Sequence, residues 1–127
     1  MRAALLLTIL LGASATPARA QTQQVIGYAG HLGEWELVAD VTETAASRAR
    51  ELHGPVTMTH IGLCSQDGPE VRAGEIRLRI SGLFSSMTGT VRLDGVECTY
   101  SARLSDAYKG LMTCPDRAPV PLTLWVK

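Results

Sequence analysis

The chain has 127 residues, with 12 Lys plus Arg against 12 Asp plus Glu and only 5% aromatic residues. That length suits one domain, and the even charge balance gives no electrostatic case for nucleic acid or an anionic membrane surface. No stretch beyond residue 20 is apolar for long enough to form a membrane helix, and neither an internal repeat nor a low-complexity tract is visible.

Met1-Arg2 is a short positive start, Ala3 to Gly12 an apolar run, and Ala18-Arg19-Ala20 a small-x-small cleavage site. This is the pattern of a secretory signal peptide over residues 1–20. No cysteine follows the cleavage site, so a bacterial lipid anchor is not indicated. The expected product is one small β domain over 21–127, periplasmic or secreted after cleavage following Ala20. Losing Arg2 and Arg19 takes Lys plus Arg from 12 to 10 against 12 acidic residues, leaving an ordinary, slightly acidic surface.

Past a polar start, Val25 to Ala29 reads as a short strand or ordered arm. Trp35, Leu37, Ala39 and Val41 then alternate with Glu36, Val38 and Asp40, the period of a half-buried strand. The segment Thr42 to His53 is ambiguous. Ala45, Ala49 and Leu52 share a helical face, yet Leu52, Val56 and Met58 alternate as a strand. Two strands joined by a short helical or irregular turn near Thr44 to Arg48 are favoured, pairing Val41 with Leu52, Leu37 with Val56 and Trp35 with Met58. A run from Thr57 to Cys64 leads into a loop from Ser65 to Ala73. In the next strand Ile76, Leu78 and Ile80 face in while Arg77 and Arg79 face out. An antiparallel register there matches Met58 with Leu78 and His60 with Ile76. Ser81 to Ser86 is a loop with Leu83-Phe84 at its tip.

The strongest local signal follows. Met87, Gly89, Val91 and Leu93 alternate with polar residues up to Asp94-Gly95, and Val96, Cys98, Tyr100, Ala102 and Leu104 alternate after it. Asp-Gly suits a two-residue hairpin turn because both positions take positive φ. The turn puts Leu93 opposite Val96, Val91 opposite Cys98 and Gly89 opposite Tyr100 on one apolar face. Arg92 and Thr90 then meet Glu97 and Thr99 on the polar face. Ser105-Asp106-Ala107 turns the chain into Tyr108, Gly110, Met112 and Cys114, and a loop from Pro115 to Pro119 precedes a last strand over Val120 to Val126. That strand faces Val120, Leu122 and Leu124 inward and Pro121, Thr123 and Trp125 outward, so Trp125 is expected to be wetter than Trp35.

Each neighbouring pair can be registered with its apolar residues on one face. The chain is therefore read as all-β: an antiparallel up-and-down meander of about seven to eight strands forming a small barrel, the eighth strand lying near Val25. A two-sheet β-sandwich is the alternative. Gly33-Glu34-Trp35, at the entrance to the first long strand, resembles the Gly-x-Trp of calycin-type proteins: lipocalins, avidins and some small bacterial metalloprotease inhibitors. The resemblance covers those residues alone and implies a barrel with Trp35 closing one end.

Three cysteines, Cys64, Cys98 and Cys114, suit a compartment that permits disulfides. With Tyr108 opposite Leu104, Cys98 falls opposite Cys114, within bonding range. A bond from Cys64 to one of the other two is the alternative. Met58, His60 and Cys64 form a weak soft-metal pattern of copper type, against the plainer reading of a core histidine beside a core methionine. No phosphate-binding glycine loop and no serine-centred elbow appears, and Asp67, Glu70, Asp106 and Asp116 fall in turns, where carboxylates bond local backbone. The expected function is a non-catalytic, cofactor-free binding module for a protein partner or small ligand, with Trp35, Leu83 and Phe84 as binding residues. The second reading is a periplasmic metal-binding protein using Met58, His60 and Cys64, and an enzyme is third.

Overall fold

The computed structural model describes residues 12–13, 22–46, 48–61, 68–83 and 85–127, with side chains of residues 45 and 46 excepted. Cys64, Phe84 and all of residues 1–20 except Gly12 and Ala13 lie outside the described residues. Eight strands run in chain order: β1 (Thr22–Ala29), β2 (Trp35–Ala46), β3 (Ala49–His60), β4 (Val71–Ser81), β5 (Ser86–Leu93), β6 (Val96–Leu104), β7 (Tyr108–Thr113) and β8 (Val120–Val126). Each pairs antiparallel with its neighbours, and β8 returns to β1, so the sheet is a closed meander barrel and not a sandwich. The registers accumulate a stagger of about ten residues once around, which tilts the strands by roughly 40°.

The central hairpin forms as its residues dictate. Leu93 pairs with Val96, Val91 with Cys98 and Gly89 with Tyr100, and Asp94 and Gly95 hold φ of 49° and 82°. Two other registers differ from expectation. β2 and β3 run on through the segment read as a helical or irregular turn, to Ala46 and from Ala49, and pair Leu37 with Met58, Ala39 with Val56 and Trp35 with His60. β4 begins at Val71, inside the expected loop, and pairs Leu78 with Leu52 and Arg72 with Met58. Both corrections shift the pairing by an even number of residues. Side chains therefore keep their faces, and alternation cannot tell the registers apart; the position of the connection along the chain decides.

Five inward-facing glycines let the sheet close. A Cβ at Gly27, Gly54, Gly74, Gly89 or Gly110 would run into a backbone carbonyl of the adjacent strand. Such positions mark tight bends in barrel strands. Large side chains fill the space opposite: Tyr100 stands across from Gly89, and Leu122 from Gly110. An eight-stranded barrel is just wide enough to be filled this way. Leu37, Ile76, Ile80, Met87, Leu122 and Leu124 are fully buried, and among the described residues no charged or polar residue is buried. The phenol of Tyr100, deep in this core, donates to the Leu122 carbonyl at 2.8 Å, with the Tyr108 carbonyl 3.2 Å away, and burial pushes its pKa well up. The exterior carries Glu51, Arg77, Arg79 and Arg92 in mid-strand, the reverse of the apolar band on a membrane-spanning barrel. Trp125 lies on that exterior, 37% exposed with its ring edge-on to Tyr28, whereas Trp35 is only partly exposed and packs on the core.

Candidate functional site at the barrel mouth

The two ends of the barrel are built differently. One is sealed. Gly33, at φ 64°, turns the chain into Trp35, whose ring meets the His60 ring edge-on at 4.7 Å. The Arg72 guanidinium lies 6.0 Å over the indole and is held by Glu70 at 2.7 Å and Asp94 at 3.7 Å. Backbone hydrogen bonds from Ile61 to Glu34 and from His60 to Glu70, both 2.8 Å, tie the connecting segments down. The Glu34 carboxyl accepts from its own and the Leu32 N–H groups, which lower its pKa, with a smaller push from His31 and His60. The Cys98–Cys114 disulfide, at a Cα separation of 4.3 Å, locks β6 and β7 at this end, as their register requires. Of the soft-metal set, Met58 is buried in the core and His60 meets Trp35 edge-on, while Cys64 lies outside the described residues. Among the described residues, no three His, Cys, Asp or Glu side chains are placed to share a metal ion.

The opposite end is open. Here the inward positions of β1, β2 and β3 turn polar. Arg50 Nε donates to Glu43 Oε1, and Arg50 Nη2 reaches Glu43 Oε2 at 3.0 Å and Gln23 Oε1 at 3.1 Å, while Gln23 Nε2 donates to Glu43 Oε2 at 2.6 Å. The bond from Arg50, then its charge and the bond from Gln23, hold the Glu43 carboxyl below the usual range against a partial desolvation; Glu43 in turn raises Arg50. Above this network lies a recess of about 350 Å³, walled by Ile80, Leu104, Leu124 and Val126 and flanked by Asp106, Tyr108 and Lys127. Burial raises the pKa of the Tyr108 phenol. On the rim, Lys109 and Ser105 bond Asp106 and pull its carboxyl down to about 2.

The β4–β5 connection borders the same recess, because Leu104 N–H donates to the Ser85 carbonyl at 2.9 Å. Its tip is unusual. Leu83 is 96% exposed and sits at φ 58°, a left-handed conformation that a branched L side chain rarely takes. The Ser85 hydroxyl, donating to the Gly82 carbonyl at 2.5 Å, braces that turn. Of the residues expected to bind, Leu83 is thus at the open mouth, Trp35 is at the sealed end, and Phe84 lies outside the described residues. The Gln23–Glu43–Arg50 network was not anticipated. Its one sequence signal is polar residues at inward positions of strands that are otherwise apolar inside.

The network has a pH signature. A carboxyl whose pKa is lowered on folding adds stability at pH above its ordinary value of 4.5, and that stability is lost as pH falls through its lower folded value. Replacing Glu43 by Gln should therefore remove part of the acid slope below pH 4.5, which urea unfolding of both proteins across that window would measure. Parallel profiles would mean that the pairing with Arg50 is as strong in the unfolded chain. No protein-family model, no curated protein and no solved structure matches the chain, so its function is read from the barrel itself.

Proposed function

We propose that the protein is an exported, non-catalytic binding module that recognises a protein partner or small ligand at its open mouth, with the Leu83 loop as the contact finger. The observation that carries this is Leu83 itself. A bulky apolar side chain held in left-handed backbone and almost wholly exposed contributes nothing to the fold and costs it about 1 kcal/mol or more. Strain of that kind at an exposed tip is accounted for by contact with something outside the chain. The recess at the same end of the barrel falls within the range of small-ligand pockets, with apolar walls over a few fixed polar groups. Kinship with the calycin-type barrels belongs to the same reading, supported by the closed eight-stranded meander and by Trp35 at the sealed end.

The test uses Leu83→Asn, which fits the left-handed backbone and removes the apolar tip. Titrated with 8-anilinonaphthalene-1-sulfonate, the wild type should show saturable binding that weakens about fivefold in this variant, the scale of losing one half-buried aliphatic contact. The melting temperature should hold or rise. Absence of binding to the wild type, or equal binding by the two proteins, would remove the mouth as the site.

A further inference from the structure

A second feature lies on the outside of the barrel, away from the mouth. Outward residues of adjacent strands line up in rows across β2 to β6. One row is Thr42, His53, Arg77, Thr90 and Thr99; the next is Thr44, Glu51, Arg79, Thr88 and Ser101. Where these rows cross β3, β4 and β5 the surface is hollow, with a volume of about 500 Å³, and His53, Arg77, Arg79, Thr88 and Thr90 line it.

The arginines of this surface differ in their company. Arg79 has Glu51 at 3.4 Å, and Arg92, on the row beyond, has Glu97 at 3.9 Å. Arg77 is flanked across the strands by His53 and Thr90 and, among the described residues, pairs with no carboxylate. The hollow thus holds one guanidinium fork open to an incoming anion and a second held only by an exposed, weak pair. Arg77 and Arg79 leave the same face of β4 two residues apart, about 6.5 Å along the strand. An extended peptide repeats side chains on one face at that same spacing. The lining is only slightly basic, two guanidiniums against the Glu51 carboxylate, which is too little for a dense polyanion. The threonine hydroxyls beside them can both donate to and accept from a peptide backbone.

We propose that this hollow binds an extended acidic segment of a partner protein, with carboxylates at alternate positions. Arg77 makes the main bidentate contact, and Arg79 exchanges Glu51 for the second carboxylate. The site is independent of the mouth, so Leu83→Asn leaves it intact. The probe is a short capped peptide alternating Glu and Thr, titrated into ¹⁵N-labelled protein, with the Gln-Thr peptide, sodium sulfate and a heparin oligosaccharide as comparisons. The Glu-Thr peptide should shift the Arg77 and Arg79 side-chain signals and the Thr88 and Thr90 amides saturably, and more weakly as salt rises. Arg77→Ala should weaken binding about tenfold, Arg77→Lys by less, and Arg92→Ala not at all. The assignment is overturned if Arg77→Ala binds like the wild type, if Arg92→Ala weakens binding as much, if the Gln-Thr peptide binds equally, or if sulfate or heparin binds the hollow as tightly as the peptide. Arg77 is exposed, so its variants should melt with the wild type; a lowered melting temperature would instead assign it a role in the fold.

Discussion

Replacing Cys98 or Cys114 by Ser is expected to lower the melting temperature by about 12 °C or more, the thermal equivalent of the roughly 3 kcal/mol that closing a loop of this length removes from the unfolded chain's entropy. The bond spans 16 residues and joins β6 to the end of β7 at the sealed end, far from the turn over 105–107 that connects the same two strands. It therefore pins the splayed end of a hairpin whose other end is already closed. Cys98 lies in the core beside Val91, so an unpaired Ser there also leaves a polar group among apolar ones. Cys64→Ala is the control, and non-reducing peptide mapping should find the Cys98–Cys114 peptide unchanged in it. If the Ser variants melt within about 2 °C of the wild type, the strand ladder alone holds this end and the entropic account fails.

The second large effect is expected at Gly74. An alanine Cβ there would meet the Arg92 carbonyl oxygen on β5, a backbone atom fixed by the strand ladder on both sides. Either β4 and β5 separate or the bend straightens, at a cost of about 3 kcal/mol, the upper part of the range for overpacking. Gly95→Ala is the useful comparison. Its Cβ meets nothing, and only the φ of 82° opposes it, so about 1 kcal/mol is expected. Urea unfolding of both variants gives the ranking; equal losses would mean that β4 and β5 do not approach so closely at Gly74.

These glycines also show what was legible in the chain. Alternation identified the inward set from Leu37 to Leu124, and the Asp94-Gly95 turn fixed a register that carried through Tyr108 to the disulfide, because each turn there is short and its chemistry plain. Where a connection is placed too late in the chain, as at Ser65 to Ala73 for the one that lies between His60 and Val71, or given structure of its own, as near Thr44 to Arg48, the offset fails while the faces stay right. Period two determines parity and nothing more. Gly54, Gly74 and Gly110 fit the alternation without announcing themselves as bends, because the carbonyl each one accommodates belongs to a neighbouring strand. The mouth was legible only at Leu83. Gln23, Glu43 and Arg50 come from three strands and meet only after β1, β2 and β3 have paired.

The meeting of β1 with β8 governs how the protein can be made. Val25 pairs with Val126, across nearly the whole sequence, whereas every other ladder joins neighbours in the chain. Local hairpins can therefore assemble in turn as the polypeptide is synthesised, but the last ladder must wait for the residues after Val120. Until then β1 and β7 each present a row of unpaired N–H and C=O groups, the kind of template on which separate chains aggregate. Closure by so non-local a pair places folding among the slow, millisecond-to-second topologies, so a holdase that keeps the seven-stranded intermediate from its neighbours would raise the yield without touching the finished barrel.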